Sequence, residues 1–227
     1  MAAYKNHNHH KGEPMNLSHQ IAADLLEIKA VFLRPDEPFT WASGIKSPIY
    51  CDNRVTYAEP PVRRRITAGY VSVIEEKYPQ AEAIIGTSTS GIGYAALVAE
   101  AMNLPTGYVR GGQKSHGRNN QIEGRVTAGQ QVVVIEDLIS TGGSVIEVVE
   151  ALREAGAVVL GVVSIFFYGM TKGITRLAEA QVENTSLTSF DALVQVAAQT
   201  GYIEPKAIDA LIAFRNNPAD ESWRELL

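Results

Sequence analysis

Residues Val132 to Ser144 read VVVIEDLISTGGS. Four β-branched residues run into two acids, then into a loop of hydroxyls and glycines. A short, continuous apolar run fits a strand buried on both faces, and the Gly/Ser/Thr cluster that ends it is a turn signal. The following segment sets Val145, Val148, Val149 and Leu152 on one helical face, over Val145–Ala155, and Gly156 closes it. The arrangement occurs once more upstream. Ala83-Ile84-Ile85-Gly86 leads through Thr87–Gly91 into a helix expected over Ile92–Met102. Further strands are expected at Leu104–Arg110 and Val158–Phe167. Apolar strands alternating with helices specify an α/β fold with a mainly parallel central sheet flanked by helices.

Outward from this centre, Ile21, Leu25, Ile28 and Phe32 recur at helical spacing, so a helix is expected over Leu17–Phe32. Phe39–Arg54 reads as two short strands around a turn at Ser43–Pro48. A helix is expected over Pro61–Lys77, with Pro61 in its first turn. Beyond Ile174, helices are expected near Phe190–Gly201 and Pro205–Asn216. No repeat or linker divides the chain, so residues 15–227 are expected to form a single domain. Residues 1–14, MAAYKNHNHHKGEP, read as a disordered leader or expression tag, with Met15 as the natural start. That reading is preferred to a His-rich metal tract.

The 227 residues carry Lys+Arg 20 against Asp+Glu 25, a net charge of −5, which argues against a dedicated nucleic-acid binder. A single cysteine, Cys51, excludes an internal disulfide framework and a Cys-rich zinc site, and fits a reducing compartment. No signal peptide is visible. The longest nearly apolar stretch, Ala157–Met170, is broken by Gly161 and Ser164 and falls short of the ~18–20 residues of a membrane span. A cytoplasmic protein that uses no membrane is expected.

In an open parallel sheet, ligands bind beyond the carboxyl ends of the strands, where Glu136 and Asp137 are expected to emerge. Strand alternation turns these two carboxylates to different faces rather than into an acid/base couple. Ser140-Thr141-Gly142-Gly143-Ser144 offers backbone N–H groups and hydroxyls at a helix N-terminus. On its own this loop reads either as an anion cradle or as a capping turn. It lacks the Walker A pattern. Carboxylates for hydroxyls beside a phosphate cradle suit a ribose 5-phosphate. Thr87–Gly91 repeats the logic, as a substrate with two phosphate groups requires. Arg110–Gly124, RGGQKSHGRNNQIEG, holds Arg110, Lys114, His116 and Arg118 among four glycines. It reads either as a solvated hairpin or as a cationic lid over a polyanion.

The whole Val132–Ser144 string resembles the 5-phosphoribosyl 1-pyrophosphate (PRPP) signature of the type I phosphoribosyltransferases. FTWASGIKSPIYCDNR (Phe39–Arg54), IIGTSTSGI (Ile84–Ile92) and the Arg110–Gly124 segment extend the resemblance to the orotate phosphoribosyltransferase family, from about Met15 to Asp220. The resemblance implies the type I fold with a small hood built from the N-terminal segment. It implies transfer of the phosphoribosyl group from PRPP to orotate in UMP biosynthesis, with Mg²⁺ accompanying the pyrophosphate and no metal ligand among the protein's own site residues. It assigns PRPP binding to Arg110, Lys114, His116, Glu136, Asp137, Leu138, Ile139, Ser140, Thr141, Gly142, Gly143 and Ser144. Ser140 also touches orotate, and Lys114 and Asp137 are catalytic. A homodimer is implied, with the Arg110–Gly124 segment shared across the interface. Where many family members carry a further lysine, this chain has Gly111-Gly112-Gln113.

Other residues have blander readings. Cys51 reads as a small buried hydrophobe. Lys46 and Arg54 read equally as partners of the orotate carboxylate or as solvated charges. Trp41 and Tyr50 read as core or dimer contacts, and Arg63-Arg64-Arg65 as the wet face of a helix. The competing functions are a phosphoribosyltransferase for another nucleobase and a PRPP-fold regulator of nucleic acid. The regulator would call for a basic face or an added helix-turn-helix, and neither stands out.

Overall fold

The fold is set by which elements share the two faces of one sheet. The computed structural model describes residues 16–41, 44–111 and 121–227. Helix α1 (Leu17–Glu27) is opened by Asn16, whose side chain accepts from the His19 N–H. It stops short of the expected Phe32. Ile28 caps it, and Lys29 takes a left-handed φ of 59° that redirects the chain into strand β1 (Val31–Leu33). Phe32, at helical spacing in the sequence, is therefore on a strand.

The Phe39–Arg54 block differs from its expected two-strand unit. Strand β2 (Phe39–Thr40) pairs antiparallel with β3 (Lys46–Ser47), whereas β4 (Ile49–Cys51) pairs with β1 through Phe32↔Tyr50. The break between β3 and β4 lies at Pro48, which has no N–H to give a ladder. The buried Ser47 hydroxyl spans the break by donating to Ile49 O at 2.8 Å. These strands form the small hood. Trp41 meets Tyr168 and Phe214 edge-on at 6.5 and 5.8 Å, and Phe214 meets Trp223 at 5.9 Å, so C-terminal aromatics hold the hood in place.

A 3₁₀ segment, Asn53–Ala58, leads into α2 (Pro60–Lys77), β5 (Ala83–Thr87), α3 (Ser90–Met102), β6 (Thr106–Val109) and β7 (Ile122–Glu123). Then follow β8 (Gln131–Ile139), α4 (Gly143–Glu154), β9 (Val158–Phe167), α5 (Thr171–Glu179), β10 (Asn184–Ser189), α6 (Phe190–Gln199) and α7 (Ala207–Asn216). The main sheet has the order β10-β9-β8-β5-β6-β7, parallel except for the antiparallel β6–β7 edge.

Alternation along the strands builds two cores. Ile84, Val133, Ile135, Val163 and Ile165 pack with buried residues of α1, α2, α3, α6 and α7. Ala83, Ile85, Val132, Val134 and Val162 face α4 and Leu177 of α5. Both faces are thus covered, as the unbroken apolar strands require.

The chain leaves β5 toward β6 on one side and leaves β8 toward β9 on the other, so β5 and β8 flank the point where strand order reverses. Two loops that diverge there open a crevice. Gly91 sits at its floor. A Cβ at this position would lie 2.4 Å from Ile135 O and 2.6 Å from Thr87 Oγ1. Gly91→Ala is expected to destabilise the protein by about 1–3 kcal/mol, a loss of roughly 2–4 °C in Tm per kcal/mol. Thermal unfolding with an unchanged midpoint would show that the contact is not tight.

Candidate active site

The site begins where the central ladder ends. The β5–β8 register runs from Ala83↔Val132 to Gly86↔Ile135, whereas the β8–β9 register continues to Ile139↔Phe167. Strand β8 is therefore longer than its apolar run. Glu136 and Asp137 lie within it and do not follow it, because β9 continues to offer a pairing edge. Leu138 and Ile139 complete the strand, and Ser140-Thr141 form the loop. Gly142 takes a left-handed φ of 76° as the N-cap of α4, and Gly143 and Ser144 start the helix. Arg176 of α5 donates to Thr141 O at 3.4 Å and ties the loop to its neighbour.

The two acids differ in exposure, but alternation does not part them as expected: the Glu136 and Asp137 carboxyls come within hydrogen-bond reach of each other. Glu136 is 5% exposed, and one carboxyl oxygen accepts from the Asp137 N–H at 2.9 Å. Asp137 is half-buried. They are nonetheless electrically linked. Burial above all, then the adjacent Asp137 carboxylate, pushes Glu136 up to about 8, while Thr87 acts in the opposite sense. A folded pKa above the ordinary glutamate value of 4.5 favours the protonated native state. The associated stability is full below about pH 4.5 and is lost as pH rises through about 8. Glu136→Gln cannot ionise and keeps the acceptor for Asp137. Its urea-unfolding stability relative to the parent is expected to rise by more than about 1 kcal/mol between pH 5 and 8. A pH-independent difference would refute the buried neutral carboxyl.

The opposing loop, Thr87–Ser90, contains a cis peptide bond between Ser88 and Thr89. Thr87 Oγ1 donates to Ile135 O at 3.3 Å, and Ser88 Oγ accepts the Gly111 N–H at 2.7 Å. Arg110 and Gly111 thus stand beside this loop. Arg110 Nη1 meets Glu123 Oε1 at 3.1 Å across the base of the β6–β7 pair, and Arg110 N donates to Gln121 O. Lys114 and His116 lie outside the described residues, as do Ala42, Gly112, Gln113 and Arg118. A cavity of about 460 Å³ adjoins the loops and is lined by Thr87, Ser88, Arg110, Gly111 and Ser144, with Glu147 and Glu150 of α4 on its far wall. Two cavities of about 640 Å³ lie elsewhere, one beside Arg34 and Lys206 and one between α2 and α3; neither contains these loops. Among the described residues, no group of three or more His, Cys, Asp or Glu is placed to hold a metal ion.

A family model described as "Phosphoribosyl transferase domain" matches residues 61–196. The orotate phosphoribosyltransferase of Bacillus cytotoxicus is 55% identical over 204 residues, 90% of this chain and 97% of that protein. The orotate phosphoribosyltransferase of Bacillus pumilus is 54% identical over 206 residues, 91% of this chain and 97% of that protein. The chain belongs to the orotate phosphoribosyltransferases. Among solved structures, the orotate phosphoribosyltransferase of Aeropyrum pernix superposes with a TM-score of 0.70 at 28% identity, covering 81% of this chain and 99% of that one. UMP synthase of Leishmania donovani superposes at 0.73 and 26% identity, covering 87% of this chain and 42% of that longer one. The type I phosphoribosyltransferase fold is thereby established for this member.

Polar residues outside the Val132–Ser144 segment also hold the site's strand. Asn53 Nδ2 donates to Asp137 O at 2.8 Å, and Tyr70 OH donates to Glu136 O at 2.6 Å. Both reach β8 across the sequence, so no local pattern announces them. Cys51 donates to Asn53 Oδ1 at 3.3 Å. Burial, then the Asp137 and Asp52 charges, pushes its thiol well up, which makes it a poor nucleophile. Arg54 is engaged bidentately by Asp52 at 2.6 and 2.7 Å, and Lys46 donates to Thr40 Oγ1. Trp41 packs in the aromatic cluster, whereas Tyr50 is 43% exposed. The arginine run is not wholly a wet face. Arg63 donates to Tyr57 O at 2.6 Å and Arg65 pairs with Asp24 at 3.0 Å, leaving Arg64 exposed.

Proposed function

We propose that the protein transfers the 5-phosphoribosyl group from PRPP to orotate, releasing pyrophosphate and forming orotidine 5′-monophosphate. The observation that carries this reading is the pair of hydroxyl-rich loops facing each other where strand order reverses, one of them starting a helix. Ser140 to Ser144 supply N–H groups and hydroxyls for the 5′-phosphate, and Glu136 to Ile139 present the strand end beside the ribose. Thr87–Ser90 and Arg110, with Lys114 and His116, are assigned to the pyrophosphate. Ser140 lies where the base also comes within reach.

In the proposed reaction, the orotate ring nitrogen attacks C1 of the ribose and gives up its N–H proton, which passes to solvent or to the released pyrophosphate. The C1–oxygen bond breaks, its electron pair passes to the leaving pyrophosphate, and positive charge grows on the sugar ring. Asp137 favours that charge, while Lys114, assisted by Arg110 and His116, offsets the charge growing on the leaving oxygens. The protein's contribution is positioning and electrostatic stabilisation. Mg²⁺ accompanying PRPP would add neutralisation of the pyrophosphate. With no group of three or more His, Cys, Asp or Glu placed to hold a metal among the described residues, such an ion would take its ligands mainly from the substrate and water. A cytoplasmic, single-domain protein acting as a homodimer, with no nucleic-acid or membrane partner, completes the reading. Among the described residues, no helix is long and apolar enough to cross a membrane.

The decisive assay supplies PRPP and Mg²⁺ with orotate, adenine, guanine or hypoxanthine in turn. Orotate-dependent pyrophosphate release and orotidine 5′-monophosphate are expected. Use of a purine without orotate would overturn the reading.

A further inference from the structure

The divergence of β5 and β8 poses a mechanical problem. Beyond Gly86↔Ile135 their ladder no longer sets the distance between the two loops, yet a single substrate that spans both needs that distance held. The 3₁₀ segment Asn53–Ala58 bridges the gap from one side. At its first residue, Asn53 is 1% exposed and donates to Asp137 O at 2.8 Å. Four residues later, the Tyr57 hydroxyl donates to Ser90 O and accepts the Tyr94 N–H at 3.1 Å. Those two backbone groups bound the first turn of α3, so the phenol is built into the helix start that follows the Thr87–Ser90 loop.

The segment is braced internally. Thr56 Oγ1 donates to Asn53 O and accepts from Tyr94 OH at 2.7 Å, and the Tyr57 and Tyr94 rings stack at 4.7 Å. Arg63 holds Tyr57 O from α2. Burial, the largest influence on it, pushes the Tyr57 hydroxyl up to about 12, so it stays a proton donor at neutral pH.

We propose that Asn53–Ala58 is a bracket that sets the spacing of the two substrate loops, with Asn53 and Tyr57 as its positioning residues. Neither is a catalytic residue; Asn53 acts through the Asp137 peptide and Tyr57 through Ser90. The inference rests on the proposed use of both loops for PRPP, and it assigns these residues an effect on PRPP that orotate binding does not share.

The test compares steady-state kinetics and thermal unfolding of the parent, Tyr57→Phe, Asn53→Ala and the double variant. Activity of the parent with orotate and PRPP is established first, because its absence would strike the proposed function and not the bracket. With an active parent, Tyr57→Phe is expected to raise KM for PRPP at least ~5-fold, the scale of one lost hydrogen bond. KM for orotate and kcat are expected to change less than about twofold. Asn53→Ala is expected to act in the same direction. In the double variant, the rise should be smaller than the product of the two single effects, because one spacing is lost only once. A lowered Tm with unchanged KM for PRPP would reduce both residues to a structural role and overturn the bracket, as would fully multiplicative effects. If Asn53→Ala does not fold, Tyr57→Phe, which keeps the ring, decides alone.

Discussion

Lys114→Ala is expected to lower kcat by at least ~10²-fold at saturating PRPP and orotate, the scale of removing one donor aimed at developing charge. The reasoning starts from charge balance. The protein has a net charge of −5, and α4 lines the adjoining cavity with Glu147 and Glu150, so the bulk field does not favour a polyanion. Cations must be delivered locally. On the described side, Arg110 is engaged at 3.1 Å by Glu123, and the next three residues, Gly111-Gly112-Gln113, add no cation. In the proposed reaction, Lys114 is therefore assigned a large share of the leaving-group charge. Because the effect belongs to the transition state, it should fall on kcat more than on KM for PRPP. Near-parental turnover under saturation would remove Lys114 from the chemistry. In a homodimer that shares the Arg110–Gly124 segment, mixing Lys114→Ala with a site-deficient partner should restore part of the activity; no restoration would confine each segment to its own subunit.

Elements built from local patterns were legible in the sequence, and elements fixed by distant contacts were not. Strand β9 spans the expected Val158–Phe167, and α3 and α4 lie within two residues of their expected bounds, because each has an unbroken apolar run or a 3.6-residue stripe. The errors arose where a single backbone angle or a non-local pairing decided. Phe32 satisfies a helical spacing, but the left-handed Lys29 ends the helix before it. Ile49 and Tyr50 look like the partners of Phe39 and Thr40, yet they pair with β1. Strand β8 runs through the two acids because β9 keeps pairing with it, a fact that polarity in β8 itself conceals. Within the candidate site, glycines and hydroxyls marked both loops. Asn53, Tyr57 and Tyr70 act on backbone atoms 33 to 84 positions away, so nothing nearby in the sequence distinguished them from ordinary buried polar residues.

Asp137→Asn is the second large expected effect, and its contrast with Glu136→Gln separates the two adjacent acids. The exchange preserves the size of the side chain. It leaves untouched the main-chain oxygen that Asn53 holds and the N–H that donates to Glu136, so β8 keeps its anchors. What disappears is the carboxylate that the proposed reaction sets beside the sugar as positive charge grows on it. A loss in kcat/KM for PRPP of about 10- to 100-fold is expected, with unfolding at neutral pH as cooperative as in the parent. Removing that charge also relieves Glu136, because the Asp137 carboxylate is one of the groups that raise its pKa. The Glu136 value should then move down toward the ordinary carboxylate range, and the stability lost between about pH 4.5 and 8 should shrink. Asp137→Asn is thus expected to cost activity while flattening the pH dependence of stability, whereas Glu136→Gln flattens that dependence by removing the titrating group itself. Unchanged PRPP kinetics in Asp137→Asn would make the carboxylate structural. A pH dependence of stability identical to the parent's would show that the neighbouring charge is not what Glu136 responds to. The division rests on exposure rather than on direction: the two carboxyls are hydrogen-bonding neighbours, but Glu136 is 5% exposed and is held neutral by its burial, whereas Asp137 is only half-buried.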